Sequence, residues 1–274
     1  MKWSAEAEEA IRKVPFFVRK RVRARVEKEA RQEGKPAISL AEVKATQKRY
    51  LSRMGEEIRG YRLESCFGPS GCPKRAIISD DLFAKIEELL QGADLLAFLK
   101  RQVGEELKFH HEFRVTLADC PNACSQPQIK DIGIIGSQQP RITGESCSAC
   151  QACVAVCPDG AIKLREMDEE VTPEIDDGSC QKCGLCIAPC PTATLAVGRE
   201  GYRIQLGGKL GRHPRLAREL PGLYTHGQVV AVVDYCLNFY KAHSRSGERF
   251  GLLLTDEAFA ELVQRLASGR LPAQ

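Results

Sequence analysis

The chain has 274 residues, with 40 Lys or Arg against 36 Asp or Glu, a formal net charge of +4. Its apolar share of 43% is that of a globular protein and excludes a disordered polyelectrolyte. No apolar run nears the roughly 20 residues of a membrane span, and thirteen cysteines behind an N-terminus without an apolar h-region are expected to be reduced, metal-bound thiols in a cytoplasm.

The charge is uneven. Residues 1–62 hold 17 Lys or Arg and 9 Asp or Glu, a net of +8 that leaves −4 for the remainder. Such a segment attracts nucleic acid, acidic proteins or a polycarboxylate ligand, and its plain alternative is a solvated helix face. Aromatics that could stack on bases are scarce there, which argues against nucleic acid.

Residues 1–62 read as three helices. Ser4 caps the first, Pro15 opens a second that runs from Phe16 to about Glu33 and stops at Gly34, and Ser39 with Glu42 forms a capping box for the third. Val14, Phe17, Val18, Val22 and Val26 are expected to form the apolar stripe of the second helix. Pro15-Phe16-Phe17-Val18-Arg19 and Val26-Glu27-Lys28-Glu29-Ala30 resemble the small C-terminal helical domain of a light-independent protochlorophyllide reductase subunit. That domain sits beside a tetrapyrrole in its own family; a simple helical scaffold is the other reading.

Residues 63–143 carry two cysteine pairs, Cys66 with Cys72 and Cys120 with Cys124. Four thiolates close one [4Fe–4S] cube, and the spacings x5 and x3 differ from the two-residue gaps of a zinc knuckle or a ferredoxin. Gly and Pro flank each pair, as a backbone wrapping a cluster requires; two unrelated pairs of buried thiols would not need them. Residues 80–90 and 94–103 read as helices, 114–117 as a strand that delivers Cys120, and 132–136 as a buried strand.

Residues 144–198 hold Cys147-x2-Cys150-x2-Cys153-x3-Cys157-Pro158 and Cys180-x2-Cys183-x2-Cys186-x3-Cys190-Pro191, the bacterial two-cluster run. The fourth cysteine of each run ligates the other run's cluster, so one cube uses Cys147, Cys150, Cys153 and Cys190, and the other Cys180, Cys183, Cys186 and Cys157. Twelve cysteines thus make three sets of four, and Cys236 is left as a core thiol. Residues 202–206 alternate as a strand, 207–214 form a glycine-rich turn, 228–242 an amphipathic helix bearing Cys236, and 256–267 a helix stopped by Gly269.

Both cysteine pairs, with the stretch from Ser125 to Gly133, resemble the iron–sulfur half of the sirohaem sulfite and nitrite reductases. The turn from Gly207 to Pro214 and the run Glu248-Arg249-Phe250-Gly251 resemble the stretches that follow the ferredoxin insertion in anaerobic and dissimilatory-type sulfite reductases. The resemblance implies sirohaem beside the first cube, with Cys124 as the thiolate bridging cube and haem iron. It implies six-electron reduction of sulfite to sulfide, with nitrite reduction, or an electron-transfer subunit without productive haem, as the alternatives. Sirohaem carries eight carboxylates, so its pocket needs cations. Lys74, Arg75 and Lys130 are the candidates to hold it, and Arg114, Lys209, Arg212 and His213 to face the anionic substrate. The larger members of that family have a second related half, which residues 1–65 do not resemble. The pocket is then completed by the basic helical segment, a second copy, or another subunit, or is incomplete. The expected class is α+β: a helical domain at 1–62, a sirohaem/[4Fe–4S] reductase domain at 63–143 and 199–274, and a ferredoxin domain with two [4Fe–4S] clusters at 144–198. The expected partners are sulfite or nitrite and an electron-donor protein.

Overall fold

A computed structural model describes residues 1–56, 58–104, 107–167 and 170–269. The chain forms two compact units, Met1–Ile58 with Glu105–His110, and Arg59–Gly104 with His111–Gln274.

The first unit is helical. Helix α1 (Ala5–Arg12) is capped by the Ser4 hydroxyl, which accepts from the Ala7 amide at 3.2 Å. Helix α2 (Phe16–Gln32) follows Pro15, and the chain turns at Gly34 with φ +67°. Strand β2 (Ala37–Ile38) pairs in parallel with β1 (Lys2–Trp3). Helix α3 (Leu40–Glu56) starts where the Glu42 carboxylate accepts from the Ser39 amide at 2.8 Å. Ile11, Val26, Ala30, Ile38 and Val43 form the core, with Trp3 and Val22 against it. The expected stripe of α2 departs at Phe17, which is 72% exposed. Val22, Val26 and Ala30 climb the core face in four-residue steps from Val18, and Phe17 sits about 100° around the axis from Val18.

The second unit is built on a five-stranded sheet of order β3 (Tyr61–Ser65), β4 (Phe113–Ala118), β5 (Ile132–Ile142), β8 (Leu195–Leu206), β9 (Arg218–Glu219). The first three strands are parallel and the last two pairings antiparallel. Alternation gives the sheet two unlike faces. Leu63, Phe113, Val115, Leu117, Ile132, Ile134, Ile204 and Leu206 share one face by register. Helices α4 (Asp80–Gly92), α5 (Leu95–Val103), α7 (His226–His243), α8 (Phe250–Leu253) and α9 (Asp256–Ala267) complete this unit, and Phe113 meets Tyr240 of α7 and Phe250 of α8 at ring separations of 5.1 and 5.4 Å. Helix α7 buries Val229, Val233, Cys236, Leu237 and Tyr240, and at roughly 1.5–3 kcal/mol per large apolar side chain this is a principal source of stability. The other face carries Arg62, Glu64, Arg114, Thr116, Gly133, Arg203 and Gln205.

Strands β5 and β8 run on beyond the sheet as a two-stranded ladder as far as Ile142 paired with Leu195. At its end lies a small module with helix α6 (Ala152–Val156) and the hairpin β6 (Ile162–Met167) and β7 (Glu170–Ile175). Its core is Cys153, Ile162, Cys186 and Leu195. Of these two strands the sequence suggested only the parts at 132–136 and 202–206. Residues 137–142 and 195–201 mix polar, glycine and apolar positions with no alternation, so they show no period of two. Strand β8 runs unbroken through residues 198 and 199, so insert and host share it.

Candidate metal centre

Adjacent parallel strands end at the same edge of a sheet, where α/β folds place their ligands. Ser65 of β3 stands opposite Leu117 of β4. The residue after β3 is Cys66, whose amide donates to the Leu117 carbonyl at 3.0 Å. Strand β4 ends at Ala118, and Asp119 and Cys120 follow it directly. Cys72 follows a 3-10 turn at Gly68–Ser70 closed by Gly71 with φ +98°, and Cys124 follows Ala123 with φ +53°. Burial pushes the Cys120 thiol up, and the neighbouring Cys66, Cys72 and Cys124 push it further, so the structure brings all four together. Cys124 is exposed, and the other three are half-buried.

These sulfurs already receive hydrogen bonds. The Gly68 and Asp119 amides each donate to Cys66 Sγ at 3.3 Å, and Asn122 Nδ2 donates to Cys124 Sγ at 3.0 Å. Donors aimed at sulfur favour the anionic thiolate that iron requires and tune cluster potential. Gly68 admits no side chain, since a Cβ there would lie 1.9 Å from an Asp119 carboxylate oxygen. Asp119 is itself 1% exposed. Its carboxylate accepts from the Ser79 hydroxyl and lies 2.6 Å from Arg75 Nε, while its carbonyl accepts from the Ala76 and Ile77 amides. It therefore clamps the loop that carries Cys66 and Cys72.

In the inserted module, Cys157, Cys180, Cys183 and Cys186 line one pocket, with Pro140 of β5 in its wall. Burial pushes the Cys186 thiol up to about 12 and raises Cys180 as well. Burial also raises Cys153, beside Cys147 and Cys150. Burial acts against Cys190 too, but the Leu195 amide and the Thr192 hydroxyl hold it below the usual thiol range. The internal repeat is visible in the backbone: Ala149 and Gln151 have φ +54° and +59°, and the matching Lys182 and Gly184 have +58° and +74°. The Ala161 amide donates to Cys157 Sγ at 3.3 Å and the Leu195 amide to Cys190 Sγ at 3.5 Å. Among the described residues no three His, Cys, Asp or Glu side chains converge on a single-ion position. Four thiols do line one pocket, Cys157, Cys180, Cys183 and Cys186, and a set of four thiolates is what an iron–sulfur cube takes. Cys236 lies apart on α7, buried, and burial alone raises its thiol.

The candidate cations divide into tied and untied. Lys130 is ion-paired with Glu64, and Arg75 with Asp119 and with Asp80 at 3.3 Å. Arg114 lies near Asp131, and its amide donates to that carboxylate at 2.9 Å. Burial pushes the Asp131 carboxyl up against the pull of Arg249, whose guanidinium lies 3.0 Å away. Among the described residues, Lys74, Lys209, Arg212 and His213 form no ion pair, and Lys74, Arg212 and His213 are exposed. Lys209 exchanges backbone hydrogen bonds with Arg215 at 2.9 Å. The glycine-rich turn packs on the segment after Cys124, because a Cβ on Gly208 would lie 2.5 Å from the Gln128 carbonyl. Sequence reading missed Asp119, Asn122 and the Asp131–Arg249 pair. The only available signal was position, for Asp119 and Asn122 flank ligands and Arg249 belongs to the run Glu248 to Gly251.

Comparison with known proteins decides the family. Residues 66–271 match the nitrite and sulphite reductase 4Fe-4S domain. The chain belongs to that family. Residues 3–46 match the proto-chlorophyllide reductase 57 kD subunit family. Among relatives of this 4Fe-4S domain, the coenzyme F420-dependent sulfite reductase of Methanocaldococcus jannaschii is 33% identical over 160 residues, 58% of this chain and 24% of that protein. One subunit of the anaerobic sulfite reductase of Salmonella typhimurium is 26% identical over 105 residues, 38% of this chain and 26% of that protein. The chain thus spans about a quarter of the length of the curated relatives it matches. A crystal structure of dissimilatory sulfite reductase I aligns with a TM-score of 0.47 at 19% identity, covering 79% of this chain and 56% of that one. Among the described residues no helix is long and apolar enough to cross a membrane.

Proposed function

We propose that the protein is an oxidoreductase that reduces sulfite to sulfide, with a sirohaem beside the cube of Cys66, Cys72, Cys120 and Cys124 and with two further cubes in the inserted module. The observation that carries this reading is the first quartet, in which four thiols meet at the ends of two parallel strands and one of them, Cys124, is exposed. The three half-buried thiols hold the cube, and Cys124 is free to present a second lone pair outward. Phe67 and Ile78, 76% and 73% exposed beside this quartet, offer apolar surface to a macrocycle. When bound, sirohaem supplies an iron that takes the substrate and passes it electrons. The protein's own part is to hold thiolates by amide donors, to order the cysteine loop through Asp119, and to present positive charge. Lys74, Lys209, Arg212 and His213, being untied, suit the haem carboxylates and the anionic substrate better than Arg75 or Lys130, which already neutralise carboxylates. Arg114, on the polar sheet face, stays a substrate candidate. Thirteen cysteines without a disulfide suit a reducing cytoplasm. A donor protein, and another subunit or copy that completes the pocket, belong to the same reading. The test is anaerobic purification with sirohaem available, followed by absorption spectroscopy, analysis of iron, sulfide and tetrapyrrole, and sulfite-dependent oxidation of a reduced dye. Tetrapyrrole bands with sulfide production are expected. Iron–sulfur absorption with no retained tetrapyrrole would leave an electron-transfer subunit instead.

A further inference from the structure

The inserted module repeats one motif twice, yet its two halves meet different surroundings. The turn Ala149-Cys150-Gln151 of the first run is exposed, whereas its counterpart Lys182-Cys183-Gly184 is half-buried. What covers the second is β5. Strand β4 pairs with β5 only as far as Ala118 opposite Ile135, which leaves that side of β5 open. Three residues on, the second run fills the gap. The Gln138 amide donates to the Lys182 carbonyl at 2.8 Å, and Gln138 pairs with Cys183 in a parallel bridge. Gly184, with φ +74°, permits this fit, for a Cβ there would stand 2.6 Å from Gln138 Oε1.

The end of β4 and the Lys182–Cys183 segment therefore lie end to end along one side of β5. Their pairing positions are separated by roughly 10 Å of strand at 3.3 Å per residue. The end of β4 leads directly into Asp119 and Cys120, and the Asp119 amide donates to Cys66 Sγ. Gly136, between the two positions, has no room for a side chain, since a Cβ would meet the Asp119 carbonyl at 2.8 Å. Among the described residues no backbone hydrogen bond ties the first run to β5 in this way. That run is anchored at the far end of the ladder, where Thr143 donates to Thr194 and the Thr194 hydroxyl to Ser146.

We infer that the cube of Cys157, Cys180, Cys183 and Cys186 is the one that exchanges electrons with the cube of Cys66, Cys72, Cys120 and Cys124, that the cube of Cys147, Cys150, Cys153 and Cys190 is the outer one, and that Gln138 is the positioning residue holding the inner cube on β5. This rests on the proposed function and adds the order of the relay to it. In each step the outer cube is oxidised as the inner one is reduced, and the inner cube then reduces the reductase cube by one electron. A low-potential one-electron protein donor supplies the six that balance HSO3− + 6 e− + 6 H+ → HS− + 3 H2O.

The order can be read from magnetic coupling without turnover or substrate. Neighbouring reduced cubes split or broaden each other's electron paramagnetic resonance lines. In the anaerobically purified, dithionite-reduced protein, Cys150→Ala should lose the outer cube and leave the coupling to the reductase cube in place. Cys183→Ala should abolish it, with a similar loss of iron. The opposite pattern would overturn the order. Gln138→Pro reads the same relation without touching a ligand: iron content should hold while the coupling weakens, and unchanged coupling would overturn the role of Gln138. A protein that fails as a sulfite reductase but shows this pattern would refute the proposed activity and leave the relay order standing.

Discussion

Asp119 offers the sharpest test of how the first cysteine quartet is held. It is 1% exposed, accepts from the Ser79 hydroxyl, faces Arg75 Nε at 2.6 Å, and shares its backbone with Cys66, Ala76 and Ile77. Asp119→Ala leaves Arg75 and Ser79 without their buried acceptor. Removing one partner of a buried pair costs about 3–5 kcal/mol. Arg75 keeps Asp80 at 3.3 Å and is 18% exposed, which places this case at the low end, about 3 kcal/mol. Asp119→Asn keeps an acceptor for Ser79 and loses only the charge, about 1.5 kcal/mol. For a unit of this size each kcal/mol shifts the midpoint by about 2–4 °C, so the alanine variant should melt about 6–12 °C lower. Bound metal couples to unfolding, so the assay pairs thermal denaturation with iron content of protein purified at low temperature. The alanine variant should also lose the iron of one cube, because the loop bearing Cys66 and Cys72 loses its clamp. A shift below about 2 °C with full iron would refute the assignment of Asp119 as that clamp.

Two further expectations follow from named contacts. Burial opposes ionisation of Glu219, but two bonds of 2.7 Å from Arg203, with Gln205 beside them, hold its carboxyl below the ordinary value of 4.5. The pair's contribution, at most about 1 kcal/mol for so exposed a group, is then present above pH 4.5 and lost as pH falls through the lower folded value; Glu219→Gln should flatten that part of the stability–pH curve, and an unchanged curve would remove the pair from the account. Cys236→Ser should cost about 1 kcal/mol and no iron, whereas Cys124→Ser, which puts a harder oxygen where soft thiolate is expected, should disturb both the reductase cube and the tetrapyrrole bands. Retention of both signals in the Cys124 variant, or their loss in the Cys236 variant, would contradict the division of the cysteines.

What could be read from the sequence was whatever had a short repeat. The caps at Ser4, the stop at Gly34, helices α4, α5, α7 and α9, and strand β4 all follow from local patterns of three to four residues or of two. The two repeated cysteine runs were legible because their spacing is itself local. The ladder that carries them was not, since neither face of β5 beyond Gly136 is consistently apolar. The charge pairings were equally hidden. Lys130 and Glu64 meet 66 residues apart, and Arg249 and Asp131 meet 118 apart. A cation seen in sequence beside a cysteine is therefore not yet a cation available to a ligand: Arg75 and Lys130 are spent on neighbouring carboxylates, while Lys74 and the turn at 207–214 keep their charge.

The two faces of the sheet explain why such a chain can carry clusters and still fold. One face is apolar and covered, with Phe113 in contact with both Tyr240 and Phe250, and its side chains are not metal ligands. Apart from Cys236 on α7, the cysteines lie outside that core, beyond strand ends, in loops and in α6. Ligands placed there come into position by virtue of strand register, since Ser65 opposite Leu117 sets Cys66 beside the end of β4. Glycines then allow close approach where a cluster loop or its support must pass: Gly68 against Asp119, Gly136 against the Asp119 carbonyl, Gly184 against Gln138. Each is a contact between a cysteine-bearing segment or its support and the sheet. Adding a methyl group at any one of them would move ligands and leave the helix-covered face untouched. On this architecture, loss of cluster and loss of fold are separable events.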